Sequence, residues 1–336
     1  MEIYKIVFIN SIIIGTLIAI SSYSWLRIWI GLEINLLSVI PLFSDRKNIF
    51  SSESSIKYFI TQAIASLILL IAVIITLTTQ EFINPLINFY FSIIITTALI
   101  TKLGAAPFHF WFPEVIEGLN WNNSLILLTW QKIAPIILII NINLNELFLV
   151  SIIIIRLLTR TIRGFNQISL RKILAFSSIN HIAWILSTSI ISLATWSVYF
   201  IIYSIININI IAVFATTKSF YLNQIINIIN NRKITKFSII INFMSLGGLP
   251  PFIGFLPKWI VINWITENNF ILLTILIIVT TLIILFIYIR VIISSIIISI
   301  NEPKTSTIKF NNKNLITINI ITLLSLILST LIINIL

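Results

Sequence analysis

The chain has 336 residues, of which 58% are hydrophobic and 9% charged, with a mean hydropathy of +1.09. Soluble domains carry about 25% charged residues, so a water-soluble globular fold is excluded. Cysteine is absent, which removes disulfides, thiolate metal sites, iron–sulfur ligation and cysteine nucleophiles together. The formal charge of +11 would suggest nucleic acid in a soluble protein, but Lys and Arg fall mostly in short links between apolar runs. There they set topology and meet anionic phospholipid headgroups, and no nucleic-acid partner is expected.

A bilayer core takes about 20 apolar residues per helix. Cutting the chain at its polar links gives about eleven runs, near 3–20, 23–43, 57–79, 88–111, 122–142, 146–163, 172–192, 194–218, 236–265, 270–298 and 314–335. Met1 to Lys5 lacks the features of a presequence, so the first run is read as a retained span. Isoleucine favours strands in water, yet the runs lack the period-two polar alternation of a membrane barrel. Helices satisfy their own backbone in lipid, so the predicted fold is an all-α integral membrane protein.

Alternate links must lie on the same side of the membrane. One set carries Arg46, Lys47 and Lys57, then Arg160, Arg163, Arg171 and Lys172, then Lys218, Arg232, Lys233 and Lys236, then Lys304, Lys309 and Lys313. The other set offers Arg27, Glu81, Glu146 and Glu267, with no Lys or Arg in the link after 192. The basic set, with the N-terminus, is expected on the negative side, cytoplasm or matrix, and the C-terminus opposite.

A charged side chain at the centre of a span costs about 2.5–3.5 kcal/mol on insertion scales, so each one needs a reason. Glu33 lies mid-way along the second run, Lys102 in the fourth, Lys132 in the fifth, His181 in the seventh and Lys258 after a break in the ninth. Proline frees the carbonyl four residues earlier, here those of Leu103, Gln131 and Ile253 for Pro107, Pro135 and Pro257. Every buried lysine therefore lies beside a helix break, where water could reach the membrane interior. Glu33 and Lys102 are the candidate pair, a proton switch if the carboxylate approaches and withdraws and a static packing pair if it does not. His181 reads equally as a relay group or as a packing histidine satisfied by Ser177 and Thr188. His109, near a helix end, is expected at the interface, and two histidines without HExxH spacing make a metal centre unexpected. The stripes Tyr199, Tyr203, Asn207 and Gln62, Ser66 read as helix-packing glue ahead of a water path.

The fourth run breaks at Gly104 and Pro107 and the ninth across Gly247 to Pro257, five runs apart. Two five-helix repeats, 1–145 and 146–300, with 301–336 holding a loop and a peripheral C-terminal helix, account for this spacing. A repeat displaced by an odd number of spans is inverted, and paired broken helices in inverted repeats point to a transport site.

Several segments resemble one family closely and in its order. Gly31-Leu-Glu33-Ile-Asn35, Lys102-Leu-Gly-Ala-Ala-Pro107-Phe-His109-Phe-Trp111-Phe-Pro113, Trp130-Gln131-Lys132-Ile-Ala-Pro135, Ser177-Ser178-Ile-Asn-His181 and Leu246-Gly247-Gly248-Leu-Pro250-Pro251-Phe-Ile-Gly254-Phe-Leu-Pro257-Lys258-Trp259 look like the chain 2 family of mitochondrial NADH–ubiquinone oxidoreductase. The likeness covers essentially the whole chain and its length matches the shortened animal form. It implies that Glu33 and Lys102 are the family's glutamate–lysine pair, Lys132 its central lysine, Lys258 the second broken-helix lysine and His181 a histidine on the same hydrophilic axis. It also implies proton pumping across the mitochondrial inner membrane, driven by quinone reduction elsewhere in the complex, with the basic links in the matrix and the C-terminus in the intermembrane space. NADH, FMN, iron–sulfur clusters and ubiquinone would belong to other subunits, because this chain has no GxGxxG fingerprint and no cofactor ligands.

Two alternatives stand beside the proton-translocating subunit: a stand-alone cation/proton antiporter, and a structural scaffold whose charges only fix helix packing. The abundance of isoleucine against only 2 methionines has two readings, nucleotide bias or a standard-code translation of a gene in which ATA means methionine. Peptide mass spectra with isoleucine throughout would reject the second.

Overall fold

The computed structural model describes residues 3–45, 48–79, 85–142, 146–190, 192–224, 233–250 and 252–297. The run at 314–335 and the basic residues Arg46, Lys47, Arg232, Lys304, Lys309 and Lys313 lie outside them, as does Glu81. Among the described residues the regular structure is helical, apart from one isolated bridge between Ser169 and Tyr221. The helices are α1 (Ile3–Ser21), α2 (Trp25–Phe43), α3 (Ile49–Thr79), α4 (Pro85–Leu103), α5 (Trp111–Gly118), α6 (Trp121–Leu128), α7 (Trp130–Asn141), α8 (Glu146–Gly164), α9 (Leu170–Ser189), α10 (Leu193–Thr217), α11 (Lys233–Gly247), α12 (Phe255–Glu267) and α13 (Ile271–Ile297).

Among the described residues, six stretches are long and apolar enough to cross a membrane: Tyr4–Ser21, Trp25–Phe43, Ile49–Thr78, Trp121–Asn141, Leu193–Thr217 and Ile271–Ile293. Other apolar runs fall short for a physical reason. α8 carries Glu146, Arg156, Arg160 and Arg163, α9 carries Arg171, Lys172 and a run of hydroxyl and amide residues, and α4, α5, α11 and α12 are pieces of interrupted helices.

The interruptions expected in runs 88–111 and 236–265 are present, and the expected boundaries shift in two other places. α3 starts at Ile49, eight residues before the predicted 57, and Lys57 lies inside it, paired with Glu53 at 2.9 Å one turn earlier. The predicted run 88–111 is two helices, because α4 stops at Leu103 and α5 starts at Trp111. Run 122–142 is cut at Thr129 into α6 and α7, and run 236–265 is cut between Gly247 and Phe255 into α11 and α12.

The chain divides into two compact units, Met1–Ile152 and Ile153–Leu336. In the first, α1 crosses α2 at a contact of small residues. A Cβ added to Gly31 would stand 2.6 Å from the Ala19 nitrogen, and one added to Gly15 would stand 2.9 Å from the Asn35 nitrogen. Without a hydrophobic force between helices in lipid, such close backbone approach is what holds spans together. It also fixes the face of α2 that carries Asn35.

In the second unit the break after α11 folds back on its own helix. Gly248 turns with φ +76°, and Gly254 lies so close to α11 that a Cβ there would overlap the carbonyl oxygen of Ser245 at 1.7 Å. Only glycine fits, since the obstacle is backbone and cannot rotate away. Gly254→Ala is expected to destabilise this unit by about 1–3 kcal/mol through overpacking, read as a lower melting temperature and reduced assembly on native gels.

Candidate functional site

All three lysines singled out from the sequence are buried in protein at the ends of interrupted helices. Lys102 sits in the last turn of α4 and is 8% exposed, Lys132 is in the first turn of α7 at 1%, and Lys258 is in the first turn of α12 at 7%. For Lys258 the placement follows from helix geometry: the C-terminal turn of the preceding half-helix leaves carbonyls unpaired, and those carbonyls can solvate an ammonium that lipid cannot.

In the first unit, Lys102 borders a cavity of about 20 Å³ shared with Asn35, Tyr58, Gln62 and Gln131. That volume takes about one water, and polar groups surround it. Gln62 Nε2 donates to the Lys102 carbonyl at 3.1 Å, capping the broken end of α4. Asn35 and Gln131 exchange two hydrogen bonds, Nδ2 to Oε1 at 3.1 Å and Nε2 to Oδ1 at 3.0 Å, and the Tyr58 hydroxyl donates to the same Gln131 oxygen at 3.3 Å. This amide bracket ties α2, α3 and α7 together beside Lys132, whose ammonium lies 5.5 Å from the centre of the Phe112 ring. Glu33 is half-buried two residues before Asn35 on α2 and makes no direct ion pair with Lys102. His109 is 2% exposed, lies in the break between α4 and α5 and is stacked on Phe110 at 4.7 Å.

In the second unit, the Lys258 ammonium donates to the carbonyls of Leu246 at 3.0 Å and Gly247 at 2.8 Å, and lies 5.8 Å from the centre of the Trp184 ring. The lysine of one half-helix thus caps the other half. Gly248 leaves room for this, since a Cβ there would stand 2.8 Å from the Lys258 nitrogen. His181 is 4% exposed, with Nδ1 3.0 Å from the Tyr199 hydroxyl and its ring 5.0 Å from that of Tyr203. Ser177 and Thr188, the packing partners considered for it, bond back to the carbonyls of Leu174 and Ile185 instead. A further cavity of about 10 Å³ lies among His181, Tyr199, Tyr203, Ser245, Gly254 and Pro257.

Two features escaped the sequence reading. Arg160, counted there among the basic links, is 1% exposed inside α8 and donates from Nη2 to the Tyr288 hydroxyl at 3.2 Å. Arg156, one turn earlier on the same face, is fully buried. The four-residue spacing of the two arginines within an apolar helix was the available signal. The Asn35–Gln131 bracket was the other omission, since nothing in a single sequence pairs residues 96 positions apart. Among the described residues no three His, Asp or Glu gather as metal ligands.

Residues 22–284 match the family described as NADH:quinone oxidoreductase/Mrp antiporter, TM. The chain is 47% identical over 309 residues to NADH-ubiquinone oxidoreductase chain 2 of Anopheles gambiae, covering 92% of this chain and 90% of that one. To chain 2 of Aedes aegypti it is 46% identical over 331 residues, covering 97% of each. Among solved structures, a chain of respiratory complex I from Thermus thermophilus superposes with a TM-score of 0.85 at 18% identity, over 97% of this chain and 78% of that one. A chain of the Mrp complex from Dietzia gives 0.74 at 18% identity, over 89% and 61%. Buried lysines at broken helices on this scaffold define an antiporter-like membrane subunit fold. The chain belongs to the NADH-ubiquinone oxidoreductase chain 2 family.

Gln131→Leu removes three hydrogen bonds and strands Asn35 and Tyr58, at about 0.6 kcal/mol per bond in a membrane interior. A loss of about 1–2 kcal/mol is expected in thermal denaturation of the assembled complex, whereas Gln131→Glu, which keeps one acceptor, is expected to lose less.

Proposed function

We propose that this chain is the antiporter-like core subunit of NADH:ubiquinone oxidoreductase that moves protons across the inner mitochondrial membrane through Glu33, Lys102, Lys132, His181 and Lys258. The observation that carries the reading is the burial of three lysines at helix interruptions, Lys258 on two carbonyls, Lys132 near the Phe112 ring and Lys102 beside a small cavity lined by amides and Tyr58. In a low-dielectric interior the attraction between charges is strong, so a small change in the distance from Glu33 changes the proton occupancy of Lys102. The small polar cavity beside Lys102 offers a water site through which a proton can be exchanged, and the Tyr199–His181 contact offers a second exchange point near Lys258. Redox work is done elsewhere in the assembly, with NADH, FMN, iron–sulfur clusters and ubiquinone held by other subunits. This chain supplies the positions at which a charge can be taken up and released.

The same reading includes eleven crossings, arranged as five-helix repeats 1–145 and 146–300 of opposite topology, and a last helix within 301–336. The N-terminus and basic links face the matrix, where they meet anionic phospholipid, and the C-terminus faces the intermembrane space. The division of charged links and the paired interruptions after Leu103 and Gly247 support it.

Lys102→Ala and Glu33→Gln are each expected to lower protons pumped per NADH severalfold, in vesicles holding the assembled complex, while subunit composition stays normal. Full pumping with normal assembly would leave only a scaffold role. The likeness to an Mrp chain supports a second reading as a free antiporter. Vesicles containing this chain alone are expected to show no cation-driven proton exchange, and robust exchange there would favour that second reading.

A further inference from the structure

A cavity of about 410 Å³ in the second unit, within the range of about 300–1,000 Å³ that seats small ligands, is not lined by the relay residues. Its wall includes Ser192 and Thr195 at the start of α10 and Trp259, Asn263, Trp264 and Glu267 along α12. Trp259 and Trp264 are 39% and 45% exposed. Two candidate spans begin at its edge, Leu193–Thr217 immediately after Ser192 and Ile271–Ile293 four residues after Glu267. The cavity therefore opens where hydrocarbon gives way to headgroups, the depth at which tryptophan is favoured.

Its chemistry selects among headgroups. Two indole faces and one carboxylate make a site for an ammonium, through cation–π attraction and charge. Glu267 ends α12, so the negative end of that helix adds to the attraction. None of the lining residues is Lys or Arg, so a net anionic headgroup has no basic partner in this cavity. At the other wall, the Ser192 hydroxyl accepts from the Thr195 amide at the N-terminus of α10, where the polarity is reversed and a phosphate is tolerated. The lining thus offers a partner for each charge of a zwitterionic headgroup.

We propose that this cavity is a binding site for a zwitterionic phospholipid, with the choline or ethanolamine ammonium against Trp259, Trp264 and Glu267 and the phosphate toward Ser192 and Thr195. The site is independent of the proton relay, whose residues do not line it.

The test uses the purified complex in nanodiscs with a photoactivatable phosphatidylcholine, followed by mass mapping of labelled peptides. Labelling of the peptide spanning 259–267 is expected, displaced by unlabelled phosphatidylcholine and not by phosphatidylglycerol. Trp264→Leu with Glu267→Gln is expected to cut labelling about tenfold, with NADH oxidation by the complex unchanged. Glu267→Lys guards against a folding artefact, because it is expected to shift displacement toward phosphatidylglycerol, which a misfolded site would not do. Equal displacement by both lipids, an unaltered preference in Glu267→Lys, or crosslinking of this peptide to a neighbouring polypeptide in place of lipid would overturn the proposal.

Discussion

The structure depends on a single electrostatic requirement: a cation placed inside an apolar protein must be solvated by the protein itself. Lys258 shows how it is met. The α-helix normally consumes its carbonyls internally, so a lysine can be hosted only where a helix stops and leaves carbonyls over. The interruption between α11 and α12 supplies the carbonyls of Leu246 and Gly247, and the lysine of the second half-helix reaches back to them. The break and the cation therefore stabilise each other.

That reciprocity explains the glycines around it. Gly248 gives the turn its positive φ and clears space for the Lys258 chain, while Gly254 lets the returning strand of backbone touch α11 at Ser245. In the first unit the same need is met differently. The broken end of α4 is capped by Gln62 from α3, and Gly104 takes the positive φ. Lys102 faces a polar cavity instead of a pair of carbonyls. Lys258 is thus fixed by two carbonyls of its own broken helix, whereas Lys102 borders a cavity whose polar lining comes from other helices.

The polar side chains near these sites divide into those that bond locally and those that join helices. Ser177, Thr188 and Asn207 bond back within their own helix and contribute little to tertiary structure. Asn35, Gln131, Tyr58, Tyr199 and Arg160 reach other helices and define the buried clusters. The polar stripe on α10 contains both kinds, Tyr199 reaching His181 while Asn207 returns to the Tyr203 carbonyl. A polar residue in a span is therefore informative only once its partner is known.

Composition was enough to establish a membrane protein, because a chain with so few charges cannot face water, and the lack of period-two polar alternation chose helices over a barrel. The breaks beside Lys102 and Lys258 were equally legible, since proline and glycine act within a few residues of where they stand, whereas the cut before Lys132 falls at Thr129 and Pro135 lies inside α7. Helix ends were less so: α3 runs back to Ile49 through a polar stretch, its Ser54 packed where a Cβ on Gly118 would lie. What only the tertiary structure decided were the long-range partners, Asn35 with Gln131, His181 with Tyr199, Arg160 with Tyr288, and the burial of Arg156 and Arg160 in place of a basic link. Local signals travel along the chain, whereas these pairings depend on which faces of separate helices meet. That is set by close packing at contacts such as Gly15 and Gly31, a property of the folded chain that no single segment carries.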